Sequence, residues 1–136
     1  MNASDRLRLE QATGVYVSLS GEDTVGHGLA YAIREELRRS AAFDVAPPNR
    51  AGLQILVVSV DDAAPGGPTG LSSSIALVYT MTNFADYDPK EPQTWYPIFL
   101  TAEAVSLGRK QIETQARSAV ATLNNEVERY RANLQH

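Results

Sequence analysis

The chain of 136 residues contains no cysteine. Disulfides, thiolate metal sites, iron–sulfur clusters and cysteine nucleophiles are thereby excluded. The compartment stays open, because a chain without thiols suits cytoplasm and periplasm equally. A long apolar run is also missing. The strongest, Leu53–Val60 and Ile75–Tyr79, are of strand length, far short of the ~18–20 residues that a membrane-spanning helix needs. Excess positive charge is missing too. Twelve Lys and Arg stand against sixteen Asp and Glu, for a net charge of −4 and a pI near 5.1. That balance argues against a nucleic-acid partner held on a basic surface. The first ten residues, Met1 to Glu10, are polar and hold no apolar core of an export signal. The expected location is therefore cytoplasmic as the sequence stands, or periplasmic if such a signal was removed.

What is present is ordinary for a folded soluble domain. Apolar residues make up 43% and charged residues 21%, which argues against intrinsic disorder. The length suits one core. Residues 1–13 read as a polar lead-in, and residues 14–136 as a single domain.

The periodicities predict the elements in order. Val15, Val17 and Leu19 alternate as a first strand. Ser20-Gly21-Glu22-Asp23-Thr24 is turn and helix-start chemistry, with Asp23 or Thr24 able to accept from free first-turn N–H groups. Val25, Leu29, Ile33 and Leu37 then recur every fourth residue in an amphipathic helix that runs to about Ser40. Gly26 and Gly28 are out of place there, since each weakens a helix by roughly 1 kcal/mol relative to Ala. Either the helix starts nearer Gly28 or something approaches its backbone closely.

A short strand at Phe43–Ala46 is stopped by Pro47-Pro48. Leu53–Val60 is apolar on both faces, as in a central strand covered on both sides or at least paired on both edges. A loop through Pro65-Gly66-Gly67-Pro68 leads to an alternating strand from Ser74 to Thr82. After a second loop, Thr94–Leu107 reads as a strand, with Pro97 marking an edge or a bulge. Arg109–Leu134 is the clearest helix. At about 37 Å it exceeds a typical strand and should overhang the sheet or bend around it. The predicted fold is an α+β two-layer sandwich, β-α-β-β-β-β-α. Its sheet is mixed and mostly antiparallel, with both helices packed on one face.

Few residues suggest chemistry. The strand, glycine turn and helix around Gly26-His27-Gly28 invite a nucleotide reading. A phosphate loop, however, needs Lys and then Ser or Thr after its last glycine, and Leu29 follows instead. His27, with acidic Glu22 and Asp23 close in sequence, is a candidate general acid or base, or an exposed helix-start residue with no task. Asp61-Asp62 follow the central strand, where they can bind a cation or cap a turn. Gly26, His27, Gly28, Asp61 and Asp62 together form the candidate ligand site, with the helix N-terminus favouring an anion. Asp86-Tyr87-Asp88-Pro89-Lys90-Glu91 lacks the glycine and the Glu spacing of a calcium loop. Glu103 points inward as a buried acid or outward on a polar face; alternation leaves both open. Tyr79, Phe84, Tyr87, Trp95, Tyr96 and Phe99 are expected to form a satellite core under their loop. No catalytic residue, metal or cofactor is assigned.

The segment Val15–Val45 carries a resemblance. Its Ser20-Gly21-Glu22-Asp23 turn, the helix Gly28-Leu29-Ala30-Tyr31-Ala32-Ile33-Arg34-Glu35-Glu36-Leu37 and the strand after Phe43 resemble the N-terminal domain of TolB and related bacterial lipoprotein domains. The resemblance implies an exported, non-catalytic domain that works through protein–protein contact. Two expectations follow. The first is a non-enzymatic binding or assembly domain, with a protein partner or a second copy on an exposed stripe of Val127, Tyr130 and Leu134. The second is a small-molecule binder or enzyme at the Gly26–Gly28 helix start, using His27.

Overall fold

The computed structural model describes residues 13–63, 65–82 and 97–134. The elements are β1 (Gly14–Ser20), α1 (Thr24–Arg39), β2 (Asp44–Val45), β3 (Leu53–Asp61), β4 (Ser72–Thr82), β5 (Pro97–Gly108) and α2 (Ile112–Leu134). A short 3-10 turn, Arg109–Gln111, leads into α2. The order is the predicted one, and the fold is α+β. Residues 94–96, expected to open the last strand, lie outside the described residues.

One five-stranded sheet runs β2-β1-β3-β4-β5. The β3-β4-β5 meander is antiparallel, whereas β1 pairs in parallel with both β2 and β3. Two of the four strand pairings are thus parallel, but they are the shorter ones, and the sheet is mixed and mostly antiparallel as expected. The parallel part arises because α1 carries the chain back to the starting end of β1 before β2, and residues 46–52 then cross to the other side of β1 to begin β3 at the same end. Pro97 opens the edge strand β5, and the β4–β5 register shifts between Tyr79 and Thr80. Edge and bulge both occur where proline implied one or the other.

Both helices cover one face. Val15, Val17, Leu53, Ile55, Val57, Ile75, Leu77 and Tyr79 point into it and are almost wholly buried. From α1 come Val25, Leu29, Ala30, Ile33 and Leu37. From α2 come Ala116, Ala119, Leu123 and Val127, spaced three and four apart. The two helices also pack on each other, which corrects the expected exposure of the Val127 and Tyr130 stripe. Val127 is 5% exposed and belongs to the core, and Tyr130 is packed against it. The side chain of Leu134 lies outside the described ones. Helix α2 gains a support beyond the sheet because α1 lies alongside it.

The opposite face has no covering element among the described residues. Alternation assigns it Tyr16 and Ser18 of β1, Leu56, Val58 and Val60 of β3, Ala76, Val78 and Thr80 of β4, and Phe99, Ala102 and Ala104 of β5. From β1 to β5 its strand positions carry no Asp, Glu, Lys or Arg. Strand β3 is therefore paired on both edges but covered by helices on one side only.

Candidate functional site

The start of α1 is built around Asp23. Its Oδ2 accepts from the Gly26 N–H at 2.9 Å and from the hydroxyls of Ser59 (β3) and Ser73 (β4), each at 2.6 Å. One carboxylate oxygen thus caps the helix and ties it to two strands. Ser59 and Ser73 are themselves buried, so each hydroxyl needs this partner. Burial pushes the carboxyl up. The hydrogen bonds from Ser59, Ser73 and Gly26 together outweigh it and hold the pKa below its ordinary value. Oδ1 is buried without a hydrogen-bond partner.

The two helix glycines serve packing. A β-carbon on Gly26 would sit 2.6 Å from Ser59 Cβ and 2.9 Å from Asp23 Oδ1; one on Gly28 would meet Ile112 Cδ1 at 3.1 Å. Strand β3 and helix α2 are the close neighbours that the glycines imply. The helix begins at Thr24, four residues before Gly28. No room remains at Gly26 for a phosphate, and its N–H is already bound to Asp23.

Asp61 and Asp62 hold the loop that follows β3. Asp61 accepts from the Thr69 and Gly70 N–H groups at 3.0 and 2.8 Å. Asp62 accepts from the hydroxyls of Ser72 and Ser74 at 2.9 and 2.7 Å. Asp61 thus caps the turn, one of the two roles its position allowed, whereas Asp62 bonds two side chains of β4. Arg109 Nε donates to the Gly70 carbonyl at 2.7 Å and closes the same loop from the far side.

The five candidate ligand residues do not converge. Asp61 lines a cleft of about 870 Å³ with Glu22, Asp23, Thr69 and Arg109. His27 lines a different groove, of about 660 Å³, with Tyr16, Leu19, Arg34, Arg38 and Pro47. One residue of helix turns a side chain by about 100°. Gly26 faces Ser59, so His27 swings toward the free side of β1. No group of three or more His, Asp or Glu positioned for a metal occurs among the described residues.

Glu103 points inward. It accepts from the Tyr79 hydroxyl at 2.7 Å. Burial first, then the hydrogen bond and charge of Glu103, push the Tyr79 pKa far above its ordinary value. Tyr79 is wholly buried and faces the helices, while Phe99 is 63% exposed on the bare face. The expected aromatic cluster is therefore split by the sheet. Phe84, Tyr87, Trp95 and Tyr96 lie outside the described residues, as does the Asp86–Glu91 loop.

Sequence reasoning missed the bare face as a surface. The signal was there, in apolar residues on both faces of β3 and in small apolar residues at alternate positions of β4. No protein-family model and no curated protein sequence matches this chain.

Proposed function

We propose that the protein is a non-enzymatic assembly domain that works by protein–protein contact, and that a second copy of the chain packs on its bare sheet face. The absence of Asp, Glu, Lys and Arg from its strand positions between β1 and β5 is the observation that carries this reading, the Asp62 carboxylate reaching only its end at Ser72 and Ser74. A chain of net charge −4 repels its own copies, and the middle of this face is where two copies can meet without like charges being brought together. Val60 and Phe99 are 65% and 63% exposed there, and Leu56, Val58 and Val78 form its centre. Four strands at ~4.8 Å spacing and seven to nine residues at ~3.3 Å give about 500 Å² per copy. A face-to-face pair then buries about 1,000 Å², the lower end of a specific interface. A dimer of micromolar affinity suits that area. The resemblance of Val15–Val45 to contact-making envelope domains points the same way. The carboxylates of Asp23, Asp61 and Asp62 are engaged in holding the fold, which leaves the helix-start reading little support.

Sedimentation equilibrium tests the proposal. The full chain should dimerise at high micromolar concentration, and Val58→Lys or Val78→Lys should weaken the dimer at least tenfold with little change in thermal midpoint. A monomer at about 500 µM, or dimerisation indifferent to both lysines, would sink it.

A further inference from the structure

The edge of β1 offers a second, independent contact. Strand β2 pairs with β1 only at Gly14 and Val15. The Ala46 N–H donates to the Val15 carbonyl at 2.9 Å. By the two-residue period of a strand, Val17 and Leu19 turn their backbone groups to the same side. Continuing the register, the Val17 carbonyl would take its hydrogen bond from the amide of residue 48. Residue 48 is a proline and has no N–H to give. The guanidinium of Arg34 supplies the donor instead, at 3.0 Å. Among the described residues nothing pairs with the Val17 N–H or with the N–H and carbonyl of Leu19. These groups open into the groove of about 660 Å³ that ends at Pro47 and Pro48.

The charge along this groove has one sign. Arg34 and Arg38 line it, and no Asp or Glu does. Arg38 is ion-paired with Glu35, whereas Arg34 has no ion pair among the described residues. On a chain with sixteen acidic and twelve basic residues, a groove whose lining has two arginines and no carboxylate stands apart.

We infer that the β1 edge receives an extended acidic peptide segment, which adds to the sheet where β2 stops. Its backbone completes the ladder at Val17 and Leu19. Its alternate side chains face α1, where a carboxylate meets Arg34 in the two-pronged geometry that guanidinium favours. A nucleic-acid phosphate would also meet the arginines but has no amide ladder to offer the strand.

The test uses the full chain, labelled with nitrogen-15, and two peptide probes. One is acetyl-Thr-Glu-Val-Glu-Val-Glu-Thr-amide; the other has Lys for each Glu. The acidic peptide should shift the amide signals of Val17 to Gly21 and slow hydrogen exchange at Val17 and Leu19 at least tenfold. It should bind at least tenfold more tightly than the lysine peptide. Arg34→Glu should reverse that preference, and Arg34→Gln should weaken it while retaining a donor for Val17. A thermal melt confirms that each variant folds, and Arg38→Glu provides a second charge reversal if Arg34→Glu does not. Equal binding of both peptides would overturn the inference. So would shifts mapping elsewhere, a thymidine oligonucleotide saturating the same amides, or no binding at about 2 mM peptide.

Discussion

The two faces of the sheet are made from the same strands and differ in almost everything else. On one face Leu77, Tyr79, Ile55 and Val57 are sealed under two helices. On the other, Val58 and Val78 lie half-buried between neighbouring strands, and Val60 and Phe99 stand open. The buried face also contains the polar devices: Asp23 with two serines, and Glu103 with Tyr79. The bare face has Ser, Thr, Gln and small apolar residues, including the Gln54–Ser18 side-chain bond at 3.0 Å. Stability therefore resides on the first face, and the second is free to serve contact.

Truncation across one strand is the strongest test of this asymmetry. Leu77→Ala should destabilise by about 3–4 kcal/mol, while Val78→Ala beside it should cost under ~1 kcal/mol, both read by urea unfolding. Similar losses at the two positions would break the comparison. Gly26→Val should cost about 3 kcal/mol, because its side chain must displace Ser59 and crowd Asp23. Gly28→Ala meets only the movable tip of Ile112 and should fall within about 1 kcal/mol of neutral, gained helix propensity offsetting the crowding.

Asp23→Ala removes a cap and strands two buried hydroxyls, for an expected loss of about 2–3 kcal/mol. Its pH dependence has a definite sign. The folded-state pKa lies below the ordinary 3.8, so its stabilisation is full above that value and disappears as pH falls through the lower folded-state value. Acid unfolding followed by circular dichroism should be shallower in Asp23→Asn. Tyr79→Phe is the mildest change, about 1–2 kcal/mol, since it leaves Glu103 without its donor. The folded-state pKa of Tyr79 is raised above 10.0. Its stabilisation is whole below that value and declines as pH rises beyond it, so the wild type should lose stability in alkali and Tyr79→Phe should lose less.

Much of this could be seen in the residues. The fourfold spacing of Val25, Leu29, Ile33 and Leu37 is local chemistry, and α1 follows it. Gly26 and Gly28 announced either a later helix start or close neighbours, and the close neighbours are what is present. Pro97 announced an edge. The candidate site was less legible, because its members were grouped by residue type and nearness in sequence. His27 and Asp61 both flank glycine turns, but one opens onto the free edge of β1 and the other onto the cleft beside Arg109. The stripe of Val127 and Tyr130 was correctly apolar. That α1 would lie alongside to bury it is a matter of packing, which periodicity does not encode.

Side-chain alternation and helical spacing are properties of neighbours along the chain, so the sequence alone decided where strands and helices form and which residues share a side. Tertiary structure decided which side of the sheet the helices would occupy. It also decided that Asp23 would meet serines 36 and 50 residues away, and that β1 would keep an open edge beside Arg34. Those outcomes depend on the path of the chain through space, where residues remote in sequence compete for the same hydrogen bonds and the same volume.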